Sequence, residues 1–276
     1  MPVRVLHVSD LHFGTKEDPA VERALAALLE RHVPDLLIAS GDLTHRGRRA
    51  QHELAHAFLT RLGPPVHAVP GNHDIPYTIP ARFTSPWREF ERLWGTTEPV
   101  FRGDGLHVVG LNSVRPWRHQ SGRVRRDQLR RVADELARAP EEALRIVVLH
   151  HQLLGAPWRS RKKPVADRSG VLGALVDAGA DLVLSGHIHQ AAISERHEFE
   201  VIGPAGRRAV VVSTAPGFGQ PRPKRRGEAR GLHVYAADDH ALRIDTYIWR
   251  DDDWALTAVR AFPRGREPLS FEPAGP

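Results

Sequence analysis

None of the 276 residues is cysteine, which excludes disulfides and thiolate metal sites. No apolar run approaches the roughly 20 residues needed to cross a bilayer as a helix. The amino end goes directly into Val3-Arg4-Val5-Leu6-His7-Val8, without the apolar stretch and cleavage site of a secretory leader. The expectation is a cytoplasmic protein with no membrane attachment. Neither charge sign dominates: 39 Lys and Arg stand against 33 Asp and Glu, for a net charge of +6. That excess suits an anionic substrate, but does not by itself point to nucleic acid. No internal repeat is visible. A hydrophobic content of 41% and a charged content of 26% describe an ordinary globular chain, long enough to bury a substantial core.

The chain alternates short aliphatic runs with amphipathic stretches. Residues 3–8 read as a buried strand. Asp18-Pro19 then supplies a cap and a first-turn proline for a helix over 19–32. The pattern predicts a strand at 35–40, a helix at 48–62 and a strand at 66–69. It resumes with strands at 106–111, 145–149 and 181–184 and helices at 126–138 and 168–178. Such alternation argues for an α/β fold with much of its sheet parallel, whose sites form beyond the carboxyl ends of the strands. Between the two series, residues 75–98 carry Tyr77, Phe83, Trp87, Phe90 and Trp94 among prolines. They read as an insertion near the site mouth with a short helix over 87–94, most of the aromatics filling core. After 190 the helical pattern disappears. Runs at 191–201, 207–214, 232–236, 242–249 and 254–262 predict an antiparallel sheet packed beside the first. One domain over 1–262 and a Pro/Gly-rich tail over 263–276 follow.

Five of the predicted strands end in polar clusters: Asp10-Leu11-His12, Gly41-Asp42, Gly71-Asn72-His73-Asp74, His150-His151 and Gly186-His187-Ile188-His189. On an extended backbone, residues two apart point the same way, so Asp10 with His12, and His187 with His189, can each grip one ion. Singly, each cluster is weak. A lone buried histidine is more often a hydrogen-bonded core residue, and a lone aspartate at a strand end is more often a turn or cap residue. Together, Asp10, His12, Asp42, Asn72, His150, His187 and His189 offer oxygen and imidazole donors that suit Mn, Fe, Zn or Co better than Ca. Seven donors are too many for one tetrahedral ion. They suit two ions, about 3.5–4 Å apart, sharing a carboxylate and clamping a phosphoryl group. His151, adjacent to His150, points the other way on a strand and reads as structural.

In this order, D-x-H, G-D, G-N-H-D, H-H and G-H-x-H resemble the calcineurin-like metallophosphoesterase superfamily. The likeness is greatest to its class III phosphodiesterases, the group containing bacterial cyclic-nucleotide and glycerophosphodiester phosphodiesterases, over about residues 3–250. The resemblance implies a four-layer αββα sandwich with two mixed β-sheets flanked by helices. It implies that Asp10, His12 and His189 hold one ion, that Asn72, His150 and His187 complete the other, and that Asp42 bridges them. Asn72 and His73 would contact the substrate, and His73 would stabilise charge or protonate the leaving oxygen during in-line attack by a bridging hydroxide on a small phosphodiester. One departure stands out: Gln152-Leu153-Leu154 follows the H-H pair, where relatives often have prolines.

Two features compete. His52-Glu53-Leu54-Ala55-His56 matches the H-E-x-x-H pattern of zinc proteases. On the predicted helix, Leu54, Ala55, Phe58 and Leu62 form the apolar face, which places His52 and His56 about 110° away, toward solvent. Leu59 and Leu62 also stand where an extended zincin pattern needs glycine and histidine. Basic runs at Arg159-Ser160-Arg161-Lys162-Lys163 and Arg222-Pro223-Lys224-Arg225-Arg226, the second within a loop at 217–231, favour a nuclease as the alternative. Such runs are more often solvated surface. Tyr77, Trp117 and Trp158 could stack a base or simply pack. No long basic stripe or separate nucleic-acid module is present, so a small phosphodiester is preferred over a polynucleotide. A non-catalytic scaffold fits poorly, because every ligand position is filled.

Overall fold

The computed structural model describes residues 2–15, 18–118, 120–155, 162–190, 198–202, 209–219 and 228–264. Its first sheet contains β1 (Val3–Val8), β2 (Leu36–Ala39), β3 (Val66–Ala68), β10 (Gly231–Ala237), β11 (Ala241–Arg250) and β12 (Asp253–Pro263), in the order β12-β11-β10-β1-β2-β3. The second contains β4 (Val100–Gly103), β5 (Leu106–Leu111), β6 (Leu144–Leu149), β7 (Leu182–Ser185), β8 (Glu198–Ile202) and β9 (Ala209–Thr214), in the order β4-β5-β6-β7-β9-β8. Helices α1 (Pro19–His32), α2 (Arg49–Thr60), α3 (Ala81–Thr84) and α4 (Arg88–Trp94) follow strands of the first sheet. Helices α5 (Arg126–Leu136) and α6 (Arg168–Asp177) lie between strands of the second.

The strands read as unbroken aliphatic runs because both of their faces are buried. In β2, Leu36 and Ile38 point between the sheets, while Leu37 and Ala39 point toward the helices. In β6, Ile146 and Val148 join the inter-sheet core, and Val147 and Leu149 join the core under α5 and α6. Three apolar layers separated by two sheets make a four-layer αββα sandwich, α/β in class, as the motifs imply. At the amino end of α1, Asp18 accepts from the Ala20 N–H at 3.2 Å and Pro19 opens the helix.

Three expectations are corrected. The strands after residue 190 do not form a sheet of their own. Strand β9 inserts parallel to β7, with β8 on its outer edge, while β10 pairs antiparallel with β1. The reason is burial: Val210 and Val212 face one apolar layer and Val211 another, which only a sheet interior supplies. Strand β4 was not anticipated. It forms a hairpin with β5 around Asp104-Gly105, a dipeptide that is itself a turn signal. Finally, α2 buries Gln51, His52, Ala55, Phe58 and Leu59 and leaves Leu54 53% exposed. It packs on both the sheet and α4, so its covered arc is rotated from the one its aliphatics suggest.

A candidate dinuclear metal centre

All the predicted ligands converge at one edge of the sandwich, where the carboxyl ends of β1, β2, β3, β6 and β7 meet. The backbone there is not extended. Asp10, His12, Asp42, His187 and His189 all have left-handed φ angles, of 55°, 54°, 51°, 75° and 55°. Residues two apart therefore share a side through tight left-handed turns rather than through strand pleat. Non-glycine residues seldom adopt this conformation, and it concentrates at functional sites. The turns are tied together: the Asp10 N–H donates to the Gly41 carbonyl and the His12 N–H to the Asp42 carbonyl, both at 2.9 Å. The Asp74 carboxylate braces two loops at once, accepting from the N–H groups of Thr44 at 2.8 Å, Leu43 at 3.1 Å and Gly71 at 2.8 Å.

Two donor groups result. Asp10, His12, Asp42 and His189 offer ligand atoms within 4.8 Å of one another, and so do Asp42, His150 and His187. Asp42 belongs to both. Asn72 Oδ1 lies 3.2 Å from His150 Nε2, which adds it to the second group. Hydrogen bonds fix which imidazole nitrogen faces inward. His150 Nδ1–H donates to the Ser40 carbonyl at 2.8 Å and His187 Nε2–H donates to the Gln120 carbonyl at 3.2 Å. That leaves His150 Nε2 and His187 Nδ1 facing each other at 3.1 Å. Likewise His12 Nε2 and His189 Nε2 face each other at 3.0 Å. Fixing the outer nitrogen to present the inner lone pair is how proteins orient metal-binding histidines.

The electrostatics are those of a cation site. Burial alone would raise the Asp42 and Asp10 carboxyls. Asp42 is nonetheless held well below the usual carboxylate range, foremost by His150, and Asp10 foremost by His189. Burial pushes His12 and His187 well below the usual histidine value, with His189 and His151 as the leading charged contributors. His150 goes the other way: burial opposes its charge, but Asp42 at 3.4 Å drives it up to about 9.

A metal fits these atoms. Asp42 Oδ1 accepts from the His73 N–H at 2.8 Å, while buried Asp42 Oδ2 accepts no hydrogen bond among the described residues. Two imidazole nitrogens on one ion at about 2.0–2.1 Å would lie about 2.8–3.4 Å apart for ligand angles between octahedral and tetrahedral. Both facing pairs fall in that range.

His73 stands beside this centre, its ring edge-on to His12 with centroids 4.8 Å apart. Its Nδ1–H donates to the His45 carbonyl at 2.8 Å, and the Tyr77 hydroxyl lies 2.8 Å from the same nitrogen. The insertion over 75–98 is therefore divided: Tyr77 reaches the site, Phe90 is wholly buried in the core, and Phe83 is exposed. Trp117 is 69% exposed. Trp158 and the basic residues Arg159, Arg161, Arg222, Lys224, Arg225 and Arg226 lie outside the described residues.

The H-E-x-x-H histidines take no part, though not for the reason expected. His52 is buried, with Nε2 3.1 Å from the Asp74 carbonyl, and His56 packs against Trp94. His151 is also buried, its Nδ1 2.9 Å from Ser113 Oγ, and the Gly122 backbone passes so close that a Cβ there would overlap the ring. Sequence reasoning passes over two residues near the centre. His45, three beyond Asp42, forms a cluster with His12 and His73. Lys162, expected in a solvated basic run, is 8% exposed, with Nζ 3.9 Å from Asp10 Oδ1. Nothing in the local sequence separates it from its basic neighbours.

Two mixed sheets with aspartate, asparagine and histidine gathered at their strand ends define a metal-dependent hydrolase of phosphoric esters. The calcineurin-like phosphoesterase profile matches residues 3–191, and the chain belongs to that family. A Synechococcus protein named "Probable cyclic nucleotide phosphodiesterase" is 31% identical over 210 residues, covering 71% of this chain and 77% of its own. The 3',5'-cyclic adenosine monophosphate phosphodiesterase of Escherichia coli is 25% identical over 201 residues, covering 68% and 70%. In fold, the chain is similar to a purple acid phosphatase from yellow lupin seeds, with a TM-score of 0.68 at 14% identity; the match covers 96% of this chain and 54% of that one.

Proposed function

We propose that this chain is a dinuclear phosphodiesterase acting on a small phosphodiester such as a cyclic nucleotide. The observation that carries the reading is the pair of facing imidazole couples, 3.0 and 3.1 Å apart, on either side of one shared carboxylate. Asp10, His12 and His189 would hold one ion, Asn72, His150 and His187 the other, and Asp42 both. When bound, two such ions supply charge stabilisation for a phosphoryl group and a water made acidic enough to attack in line. The Asn72 amide would also orient the phosphoryl group. His73, with Nδ1–H committed to the His45 carbonyl, has Nε2 available to hold a proton over the leaving oxygen. The substrate class is supported by the names of the Synechococcus and Escherichia coli relatives.

The test is direct. Chelated protein should lose hydrolysis of a cyclic nucleotide and of bis(p-nitrophenyl) phosphate. Added Mn should restore both, with metal content approaching two ions per chain. Full turnover in metal-stripped protein would overturn the reading.

A further inference from the structure

The centre draws on both sheets. Asp10, His12, Asp42 and Asn72 stand beyond strands of the first, and His150, His187 and His189 beyond strands of the second. Its geometry therefore depends on how one sheet sits on the other. The layer between them is chiefly aliphatic, with Val5, Ile38, Ile146 and Ile244 among its side chains. Apolar packing is non-directional, so it sets that relation less sharply than hydrogen bonds do. A chain of polar side chains crosses this layer. The Tyr235 hydroxyl, from β10, donates to Ser213 Oγ, from β9 of the second sheet, at 2.8 Å. His7 Nδ1 lies 3.3 Å from the same Tyr235 oxygen, and His7 Nε2 lies 2.8 Å from Ser40 Oγ. The Ser40 carbonyl in turn accepts from His150 Nδ1–H at 2.8 Å. Hydrogen bonds thus leave the second sheet at Ser213, pass through β10, β1 and the end of β2, and return to it at His150.

Counting protons gives the chain a direction. His7, Ser40, Ser213 and Tyr235 are wholly buried. Burial and the neighbouring His233 hold His7 well below the usual histidine value, so its neutral ring carries one N–H. The Tyr235 proton is committed to Ser213, so the Tyr235 oxygen accepts from His7 Nδ1–H. His7 Nε2 then accepts from the Ser40 hydroxyl, while Ser213 Oγ lies 3.4 Å from His233 Nδ1. Removing one member leaves its neighbours unpaired in a dry interior, and Ser40 loses the bond that anchors its side chain. A Cβ on Gly41 would stand 2.8 Å from His150 Nδ1. At such close approach, a shift of the Ser40-Gly41 backbone passes directly to the His150 ring.

Resting on the dinuclear reading above, we propose that His7 and Tyr235 are positioning residues that act through Ser40 on His150. Their hydrogen bonds hold the end of β2 against the second sheet and so secure the ion of Asn72, His150 and His187. The ion of Asp10, His12 and His189 depends on them less, because His150 takes its orientation from the Ser40 carbonyl and is not among that ion's ligands.

The experiment is a stepwise Mn titration of the metal-free full chain by calorimetry, on the wild type, Tyr235→Phe, His7→Leu and His7→Gln. The step that disappears in His150→Ala identifies the ion concerned. Loss of support behind a metal-binding histidine costs about 10–100-fold in affinity, so Tyr235→Phe and His7→Leu should weaken that step by about tenfold or more and leave the other little changed. His7→Gln, whose amide can still accept from Ser40 and donate to Tyr235, should recover most of the loss. Ile244→Val opens a cavity in the same layer. It should lower the urea midpoint with both steps unmoved, which separates positioning from loosened packing. Equal weakening of both steps, no weakening in Tyr235→Phe and His7→Leu, or no recovery in His7→Gln would overturn the proposal. Tyr235→Phe removes a single oxygen and keeps the test readable should His7→Leu not fold. Wild-type protein that binds only one Mn would sink the dinuclear reading instead. The role of His7 would then stand if that one step weakens in His7→Leu and recovers in His7→Gln, and fall if it does not.

Discussion

His73 has one ring nitrogen tied to the His45 carbonyl and the Tyr77 hydroxyl, which leaves the other for chemistry. His73→Ala should keep most of the metal while turnover falls by about 10²–10⁴, the usual contribution of a general acid. The loss should shrink for nitrophenyl leaving groups, which need no proton, so kcat measured across leaving groups of different pKa checks the role. His52 makes a contrasting case. Its hydrogen bond to the Asp74 carbonyl is buried, so His52→Ala should cost about 1–3 kcal/mol in urea denaturation while metal content and kcat stay near wild type. Asp42→Asn, at the shared carboxylate, should do the reverse and strip metal. Loss of metal from the His52 variant would mean that α2 supports the centre more directly than its contacts indicate. At this scale the sequence was informative wherever residue type limits chemistry. Seven oxygen and imidazole donors at strand ends could be picked out because few other roles demand them. Lys162 and His45 could not, because a lysine in a basic run looks the same whether its loop folds outward or is pinned against a carboxylate.

Elements set the positions that residue types only suggest. The turns after β1 and β7 approach each other so closely that the His187 N–H donates to Asp10 Oδ2 at 2.8 Å, and a Cβ on Gly186 would overlap the Ser9 hydroxyl. Gly186→Ala should therefore force the two turns apart. Metal affinity should fall by at least about tenfold, with a stability loss of about 1–3 kcal/mol, the usual cost of overpacking. A metal titration beside a thermal melt checks both, and unchanged metal affinity would show that the turns can yield. Strand and helix periods were legible here because buried strands are unbroken aliphatic runs and α1 carries its own cap. The left-handed turns were not, since Asp and His, although they tolerate φ near 55° more than most residues, adopt it seldom and are held there by the surrounding hydrogen bonds. The burial of His52 also escaped, because α4, arriving some forty residues later in the chain, decides which arc of α2 is covered. Sheet membership after residue 190 depended on pairings with strands made far earlier, which local pattern does not encode.

For the molecule as a whole, buried neutral histidines tie stability to pH. His67, in β3, is fully enclosed, and burial lowers it to about 3. Its unfolded value is near 6.5. Between those values the unfolded chain takes up a proton that the fold refuses. The stability is therefore fully present above pH 6.5 and is lost as pH falls toward 3, by up to about 1.4 kcal/mol per pH unit for one such group. Urea midpoints of metal-free protein at pH 7 and pH 5 should show a clear loss, and His67→Leu should lessen it. An identical loss in the variant would mean that His67 accepts its proton within the fold.

Strand β1 lies between β2 and β10, with Val5 opposite Leu36 on one side and Tyr235 on the other. During synthesis at about 5–20 residues per second, its first neighbour leaves the ribosome within seconds and its second only after roughly ten to fifty seconds. For that interval the nascent chain presents one bare edge of an aliphatic strand, the kind of surface on which chains aggregate. The same strand leads to Asp10 and His12, whose partners His187 and His189 also emerge late. Metal capture is therefore expected only after His189 has left the ribosome.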